Sequence, residues 1–405
     1  MTAPRAALVA DVYRGDLRAG TLTRTRGGAV FEYDPAFPDE DLALHLPRAQ
    51  LRFETSGVNL LPFFAGLLPE GLRFAALVRR LKTSEDDLFS LLIAAGADCV
   101  GDVAVVARGE PPPSHERVQA AALKDVRFSD LFEQSLARAG PAHREEIVPG
   151  VQAKISAAVI SFPVRLAKAK ASHILKLNPS DKPTLVANEA FFMRMAHACG
   201  LEVASTQVVH DREGQPGLLV ERFDRAWTPE GVRRIHQEDG CQLLDRYPAD
   251  KYRLSCRELA EGLGATAAPV AQIARLLELW AFSYLIANGD LHARNLSVGA
   301  ALSPRELTLT KAYDLLTTLP YGDTSMALKL DGKDKNLRGS DFVSFGVRFG
   351  VRAAAVEGIL QRLYDLSLPW LERLHEPGFS EAKTAALAKA LHTRRADLVR
   401  FAGAR

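Results

Sequence analysis

Eight residues in the second half of the chain, Asn288-Gly-Asp-Leu-His-Ala-Arg-Asn295, carry a carboxylate and an amide five positions apart, Asp290 and Asn295. Phosphoryl transfer needs a carboxylate that accepts or orients the proton of an acceptor hydroxyl, and oxygen ligands for magnesium. One Asp-x-x-x-x-Asn arises often by chance, so the neighbouring elements decide its weight. Leu276 to Ala287 has the character of an apolar helix, which Asn288-Gly289 then breaks. Asn295 to Val298 and Leu307 to Thr310 have the pattern of two short strands around a turn containing Gly299 and Pro304. That hairpin leads to Tyr313-Asp314-Leu315, which sets a second carboxylate just after a strand. Asp314 is expected to be the main magnesium ligand.

The third requirement is a cation on the phosphates. Lys176 sits in an apolar strand, His173-Ile-Leu-Lys-Leu177, where an unpaired ammonium would be costly to bury. Its first candidate partner is Glu189; the alternative is an edge strand with Lys176 facing water. Upstream, Val148-Pro-Gly-Val-Gln-Ala-Lys154 puts a glycine and a lysine at the mouth of a strand, suited to a phosphate approaching backbone amides. It lacks the spacing of a Walker loop, and a plain turn is the competing account. Val220-Glu-Arg-Phe-Asp-Arg225 has two accounts: an interlobe hinge whose backbone meets adenine, or an apolar strand ending in surface charges. His292 is a candidate for neutralising a phosphate or for hydrogen-bonding the loop, and a structural loop histidine is the competing account.

The elements that must position these groups follow from composition and periodicity. The chain has 405 residues, 47% hydrophobic and 25% charged, which suits two or three packed units with a cleft between lobes. No apolar run approaches the ~20 residues of a membrane span. The 51 basic and 49 acidic residues give no global drive toward nucleic acid. The four cysteines show no Cys-x-x-Cys pairing, which suits a cytoplasmic protein. Residues 6 to 32 alternate as antiparallel strands; Gly66 to Leu81 and Ser84 to Ala95 have helical spacing. Glu110-Pro-Pro-Pro-Ser-His115 marks a linker. Strand runs at Ile155 to Phe162, Val164 to Leu166 and His173 to Leu177 precede a helix from Asn188, a plausible cap, to Cys199. A strand pair follows at Thr206 to Val209 and Leu218 to Phe223, and beyond Asp239 the chain is mainly helical.

At these residues the sequence resembles the HipA family, bacterial serine/threonine kinases that act as toxins in type II toxin-antitoxin modules. The resemblance runs through Gly20-Thr-Leu-Thr, Phe31-Glu-Tyr-Asp-Pro35, Leu68-Pro-Glu-Gly71, Pro149-Gly-Val-Gln152, His173-Ile-Leu-Lys176, Val220 to Arg225, His236-Gln-Glu-Asp239, Asn288-Gly-Asp290 and Tyr313-Asp-Leu315, in family order. It implies an α+β fold: a two-lobed protein-kinase-like molecule with an extra N-terminal α+β subdomain and a mainly helical C-terminal lobe. The divisions expected are an accessory subdomain at 1–110, a linker region at 111–146, a nucleotide-binding lobe at 147–235 and a helical lobe at 236–405. ATP and magnesium are the implied cofactors. Asp290 becomes the catalytic Asp, with His292 and Asn295 in its loop; Asn295 and Asp314 bind magnesium and Lys176 contacts the phosphates. Residues 150 to 154, with Gly150, Gln152 and Lys154, form the phosphate-covering loop. Glu221 and Phe223 lie at the adenine hinge and Gln237 lies near the nucleotide. The implied partners are a protein substrate, for the best known members an aminoacyl-tRNA synthetase, and a helix-turn-helix antitoxin, HipB, through which alone the protein meets DNA.

Two departures stand out. Ile147 replaces the serine whose autophosphorylation silences family members, and Arg294 replaces the usual lysine before the loop Asn. A nucleotide-binding regulatory scaffold and a small-molecule kinase are the competing functions, since fold and phosphate chemistry do not fix the acceptor.

Overall fold

The alternation in the first segment folds as three antiparallel strands, β1 (Val9–Arg14), β2 (Leu17–Arg24) and β3 (Ala29–Tyr33). With β4 (Arg52–Glu54) and β5 (Val103–Ala107) they form a sheet in the order β4-β3-β2-β1-β5. Helices α1 (Pro62–Gly66), α2 (Gly71–Leu81) and α3 (Leu88–Ala95) share its core, which is built on Phe31, Phe64, Leu91 and Leu92. The Asp87 carboxylate caps α3 by accepting from the Ser90 N–H. The computed structural model describes residues 9–38, 40–56, 59–111, 123–136, 160–165, 171–229, 231–300 and 306–401. Ile147, Gly150, Gln152 and Lys154 lie outside them.

A second sheet has the order β6-β7-β9-β8, from β6 (Ile160–Arg165), β7 (Ser172–Leu177), β8 (Thr206–His210) and β9 (Pro216–Glu221). Where two runs were expected around Phe162 and Val164, the described residues form one strand from Ile160. Pro163 is accommodated because β6 is an edge, where a missing N–H breaks no inner ladder. Part of the stretch expected as linker is packed structure: α4 (Phe128–Leu136) lies against this sheet, with Phe132 5.6 Å from Phe162 between ring centres. Ala76 of α2 joins the same cluster, so the N-terminal unit touches this sheet directly.

Helix α5 (Leu185–Ala198) begins three residues before the expected start. Thr184 holds the cap position, and Asn188 lies one turn inside the helix with a different task. Its buried carboxamide donates to the Thr317 carbonyl at 2.9 Å and accepts the Thr317 N–H at 3.1 Å. Gly200, at φ +95°, lets the chain leave the helix in a conformation that costs other residues strain. The apolar face Phe191, Phe192, Met195, Ala196 and Cys199 is buried in the core of the helical lobe, each large side chain contributing about 1.5–3 kcal/mol. Phe191 meets Trp370 edge-on at 5.3 Å.

The rest of the chain adds a hairpin, β10 (Arg225–Thr228) and β11 (Gly231–Arg234), and then β12 (His236–Asp239). Next come α6 (Gly240–Leu243), α7 (Cys256–Gly262) and the central helix α8 (Pro269–Leu285), whose Trp280, Phe282 and Leu285 are fully buried. The expected hairpin is β13 (Ser297–Ala300) with β14 (Thr308–Leu309), and it pairs with β12 in the order β12-β13-β14. Helices α9 (Gly339–Arg348), α10 (Ala353–Leu371) and α11 (Glu381–Leu398) complete the lobe. The molecule is α+β with two lobes and an added N-terminal unit, as expected. No helix among the described residues is long and apolar enough to cross a membrane.

Candidate active site

The Asp290 loop is held by hydrogen bonds that its own sequence supplies. After α8 the chain turns through Ala287, at φ +56°. Gly289 follows where a Cβ would lie 2.6 Å from the Ser325 carbonyl oxygen, so no larger residue fits without displacing that strand of chain. Thr318 accepts the Gly289 N–H at 2.8 Å and donates to the Ala287 carbonyl at 3.1 Å. The Asn288 side chain accepts the Asp290 N–H at 2.9 Å, and the Asn295 amide donates to the Asp290 carbonyl at 2.9 Å. Both Asp290 and Asn295 are buried. Burial raises the Asp290 pKa to about 6, with Asp314 and Glu70 adding to the rise, while a hydrogen bond from the Tyr252 hydroxyl at 2.5 Å and the nearby Lys251 oppose it. A carboxylate so tuned is suited to proton transfer near neutral pH.

His292 does not fit the role of neutralising a phosphate. It is 0% exposed, neither ring nitrogen has a hydrogen-bond partner among the described residues, and its ring lies edge-on to Tyr252 at 4.9 Å. Burial, reinforced by Lys251, drops its pKa to about 3, which keeps it neutral. It braces the tyrosine that holds Asp290.

Lys176 lies on β7, an inner strand, and is 8% exposed, so the edge-strand alternative does not apply. Its ammonium donates to Glu189 at 2.7 Å and also to Asp314. Burial alone would favour losing the proton; the two carboxylates outweigh it and hold the pKa above that of a free lysine. Glu189 is pushed up to about 7 by burial. Asp314 adopts φ +59°, a left-handed conformation that costs an ordinary residue about 1–2 kcal/mol and that turns its carboxylate group toward the lysine strand.

A cleft of about 250 Å³ joins these groups to the expected hinge. Lys176, Glu221, Phe223, Gln237 and Asp314 all line it. The Gln237 amide donates to Ser297 at 3.0 Å, and the Phe223 ring lies 5.9 Å from that of Tyr313. The residues present suit magnesium. The ion takes one or two protein ligands and fills its shell with phosphate oxygens and water. Asp314 offers a partly exposed carboxylate. Asn295 commits its NH₂ to Asp290, which leaves its amide oxygen as a donor atom for the metal.

The N-terminal unit forms a third wall that sequence reasoning missed. Leu68, Glu70, Arg73 and Asp98 line the same cleft. Glu70 pairs with Lys251 at 2.8 Å and with Arg294 at 3.0 Å, and these cations outweigh burial to bring its pKa down to about 2. Arg294 also donates to Asp239 at 2.7 Å and to the Gly66 carbonyl at 2.6 Å, a fan of bonds that a lysine cannot make. Of the charges of Val220 to Arg225, Glu221 is exposed at the end of β9, while the three that follow point inward. Arg222 and Asp224 are buried, and Arg222 and Arg225 both bond Asp98, Asp224 and the Cys99 carbonyl. His236 bridges Asp102 and Glu238, each at 2.9 Å; burial would lower its pKa, but the two carboxylates raise it to about 9, so it carries a charge. Glu70 and Asp239 belong to motifs visible in the sequence. Lys251 and Tyr252 carried no local signal.

A small sheet lobe over a helical lobe, with a buried lysine-glutamate pair facing the interlobe cleft, defines a kinase-like protein. The chain belongs to the HipA family. Residues 147–369 match the HipA-like C-terminal domain and residues 10–106 the HipA N-terminal domain. The putative kinase Y4mE of Sinorhizobium fredii is 30% identical over 393 residues, which cover 88% of this chain and 89% of that protein. The serine/threonine-protein kinase toxin HipA of Shewanella oneidensis is 27% identical over 347 residues, 80% of this chain and 78% of that one. Among solved structures, the Shewanella oneidensis MR-1 complex of HipA, HipB and operator DNA has a matching chain with a TM-score of 0.74 at 23% identity, covering 97% of both.

Proposed function

We propose that this protein is an ATP-dependent serine/threonine protein kinase that acts as a toxin and is neutralised by a helix-turn-helix antitoxin of the HipB kind. The chief support is the geometry of Lys176 between Glu189 and Asp314, beside a loop that holds Asp290 ionisable and Asn295 with a free amide oxygen. Adenine would meet the backbone at Glu221 and Phe223, with Gln237 below it, and Lys176 would hold the phosphates under a loop containing Gly150, Gln152 and Lys154. Asp314 and Asn295 would hold magnesium, which would supply charge neutralisation on the phosphates. The acceptor hydroxyl oxygen bonds to the γ-phosphorus, the bond to the bridging oxygen of ADP breaks, and the hydroxyl proton passes to Asp290. On this account residues 1–110 are an accessory unit, 111–146 a linker region, 147–235 the nucleotide lobe and 236–405 the catalytic lobe. The acceptor would be a protein of translation such as an aminoacyl-tRNA synthetase, in the cytoplasm, and DNA would be met only through the antitoxin.

The test is transfer of labelled phosphate from ATP-magnesium to lysate proteins. Asp290→Ala should reduce it about a hundredfold or more. An unchanged labelling pattern would overturn the kinase assignment, and unimpaired growth on expression without antitoxin would overturn the toxin assignment.

A further inference from the structure

A second cavity, about 540 Å³, lies on the other side of the Leu68-Pro-Glu70 segment from the nucleotide cleft. The two share Leu68, Pro69, Glu70 and Arg294 as a common partition. One wall of the second cavity is the N-terminal unit, through Leu68, Phe74 and Leu88; the other is the segment Tyr247–Lys251 of the helical lobe. That segment touches the Asp290 loop. The Lys251 carbonyl accepts the Ala293 N–H at 3.1 Å, and the next residue, Tyr252, holds the Asp290 carboxylate. Lys251 and Glu70, both at the groove floor, are close enough to act on the Asp290 charge.

We propose that this groove seats the segment of the protein substrate that carries the acceptor serine or threonine, and that it selects an apolar side chain flanking that hydroxyl. The proposal rests on the kinase assignment. In-line transfer requires the acceptor and the nucleotide to approach the γ-phosphorus from opposite sides. The nucleotide side is the cleft of Lys176, and the groove lies across the partition from it, lined by Lys251, the residue before the tyrosine that holds Asp290. The chemistry of the walls sets the preference. Glu70 is paired with Lys251 and Arg294, and Asp250 lies 3.3 Å from Arg253, so the charges at the groove are balanced by partners of the protein itself. Leu68, Phe74, Tyr247 and Pro248 are left as the surface that a ligand can dry, and burying an aliphatic or aromatic side chain against them supplies the affinity. The N-terminal unit thereby acts as half of a substrate site.

The experiment fills the groove from its rim. Ala249 and Asn59 are exposed positions on opposite walls, so Ala249→Trp and Asn59→Trp add bulk without disturbing a core. Each variant is compared with wild type and with Ala382→Trp on α11, for transfer of labelled phosphate from ATP-magnesium to lysate proteins and for ATP-magnesium affinity. The expected result is a tenfold or greater loss of protein labelling by both groove variants, affinity within twofold of wild type, and no change for Ala382→Trp. Sequencing of the labelled sites should find an apolar residue within two positions of the phosphorylated hydroxyl. Full labelling by both groove variants, or labelled sites flanked mainly by charged residues, overturns the groove alone. Loss of antitoxin neutralisation with labelling intact assigns the groove to the antitoxin and overturns the proposal. A wild type that binds ATP-magnesium but labels nothing overturns the kinase assignment and the groove with it.

Discussion

Among the buried ionic clusters of the described residues, two are balanced differently. In the cluster around Asp98, two guanidiniums, Arg222 and Arg225, meet two carboxylates, Asp98 and Asp224, and spare donors go to the backbone carbonyls of Cys99 and Gly101. In the cluster around Lys176, one ammonium faces two carboxylates, Glu189 and Asp314. A buried ion pair is retained at low cost only when its charges and hydrogen bonds are satisfied. The first cluster pairs both carboxylates with guanidiniums, with Arg73 and Arg234 adding positive charge beside Asp98, and it joins the N-terminal unit to the expected hinge. The second leaves negative charge over, in a cleft, on an aspartate in a left-handed conformation, which is the charge balance that the proposed magnesium and phosphate site requires.

The contrast is open to four measurements. The largest effect is expected from Asp314→Asn, which leaves Lys176 and Glu189 as a balanced pair and removes the proposed magnesium ligand. Phosphate transfer should fall about a thousandfold, in line with the loss of a charge-stabilising group in the transition state, while the melting temperature stays level or rises. Asp224→Ala should do the reverse. Stranding two arginines in the interior should lower stability by about 3 kcal/mol in chemical denaturation, with less than tenfold effect on transfer per folded molecule. Equal losses of activity and stability in both variants would erase the distinction.

The third measurement is a pH profile. Asp290 must be ionised to take the hydroxyl proton, and its pKa is near 6, so kcat/KM should fall about tenfold per unit below pH 6 and level off above it. The smallest effect concerns His236. Its pKa is raised to about 9 in the folded protein, so its contribution is fully present below about 6.5 and is lost as pH rises through 9. Stability should decline by about 1–2 kcal/mol between pH 6.5 and 9, and His236→Gln should flatten that slope in thermal melts.

What was legible in the sequence was local or forced by cost. The Asn288-Gly289 break, the hairpin and Asp314 follow one another within thirty residues, so their order alone reveals the site. Lys176 in an apolar strand demanded an anion, and Glu189 provides it. The cap at Asn188 was misplaced because a helix interior also accepts an asparagine when a distant backbone group, here at Thr317, satisfies its amide. The two accounts of Val220 to Arg225 could not be separated in the sequence because Asp98, which draws Arg222 and Arg225 inward, is more than a hundred residues away. The roles of Glu70 and Lys251 escaped notice because they meet across two units of the fold, and that of Tyr252 because Asp290 is 38 residues away; neither periodicity nor spacing encodes such approaches.

Arg294 ties the catalytic loop to the N-terminal unit, and the Asp98 cluster ties the same unit to the hinge above. The unit therefore works as a splint across the mouth of the cleft. Lobes joined only by a hinge exchange nucleotide by swinging apart, but lobes braced at both ends must do so through the open edge of a cleft of fixed aperture. For the proposed kinase, the residence time of the nucleotide, and with it the turnover ceiling, would then be set by the width of that edge.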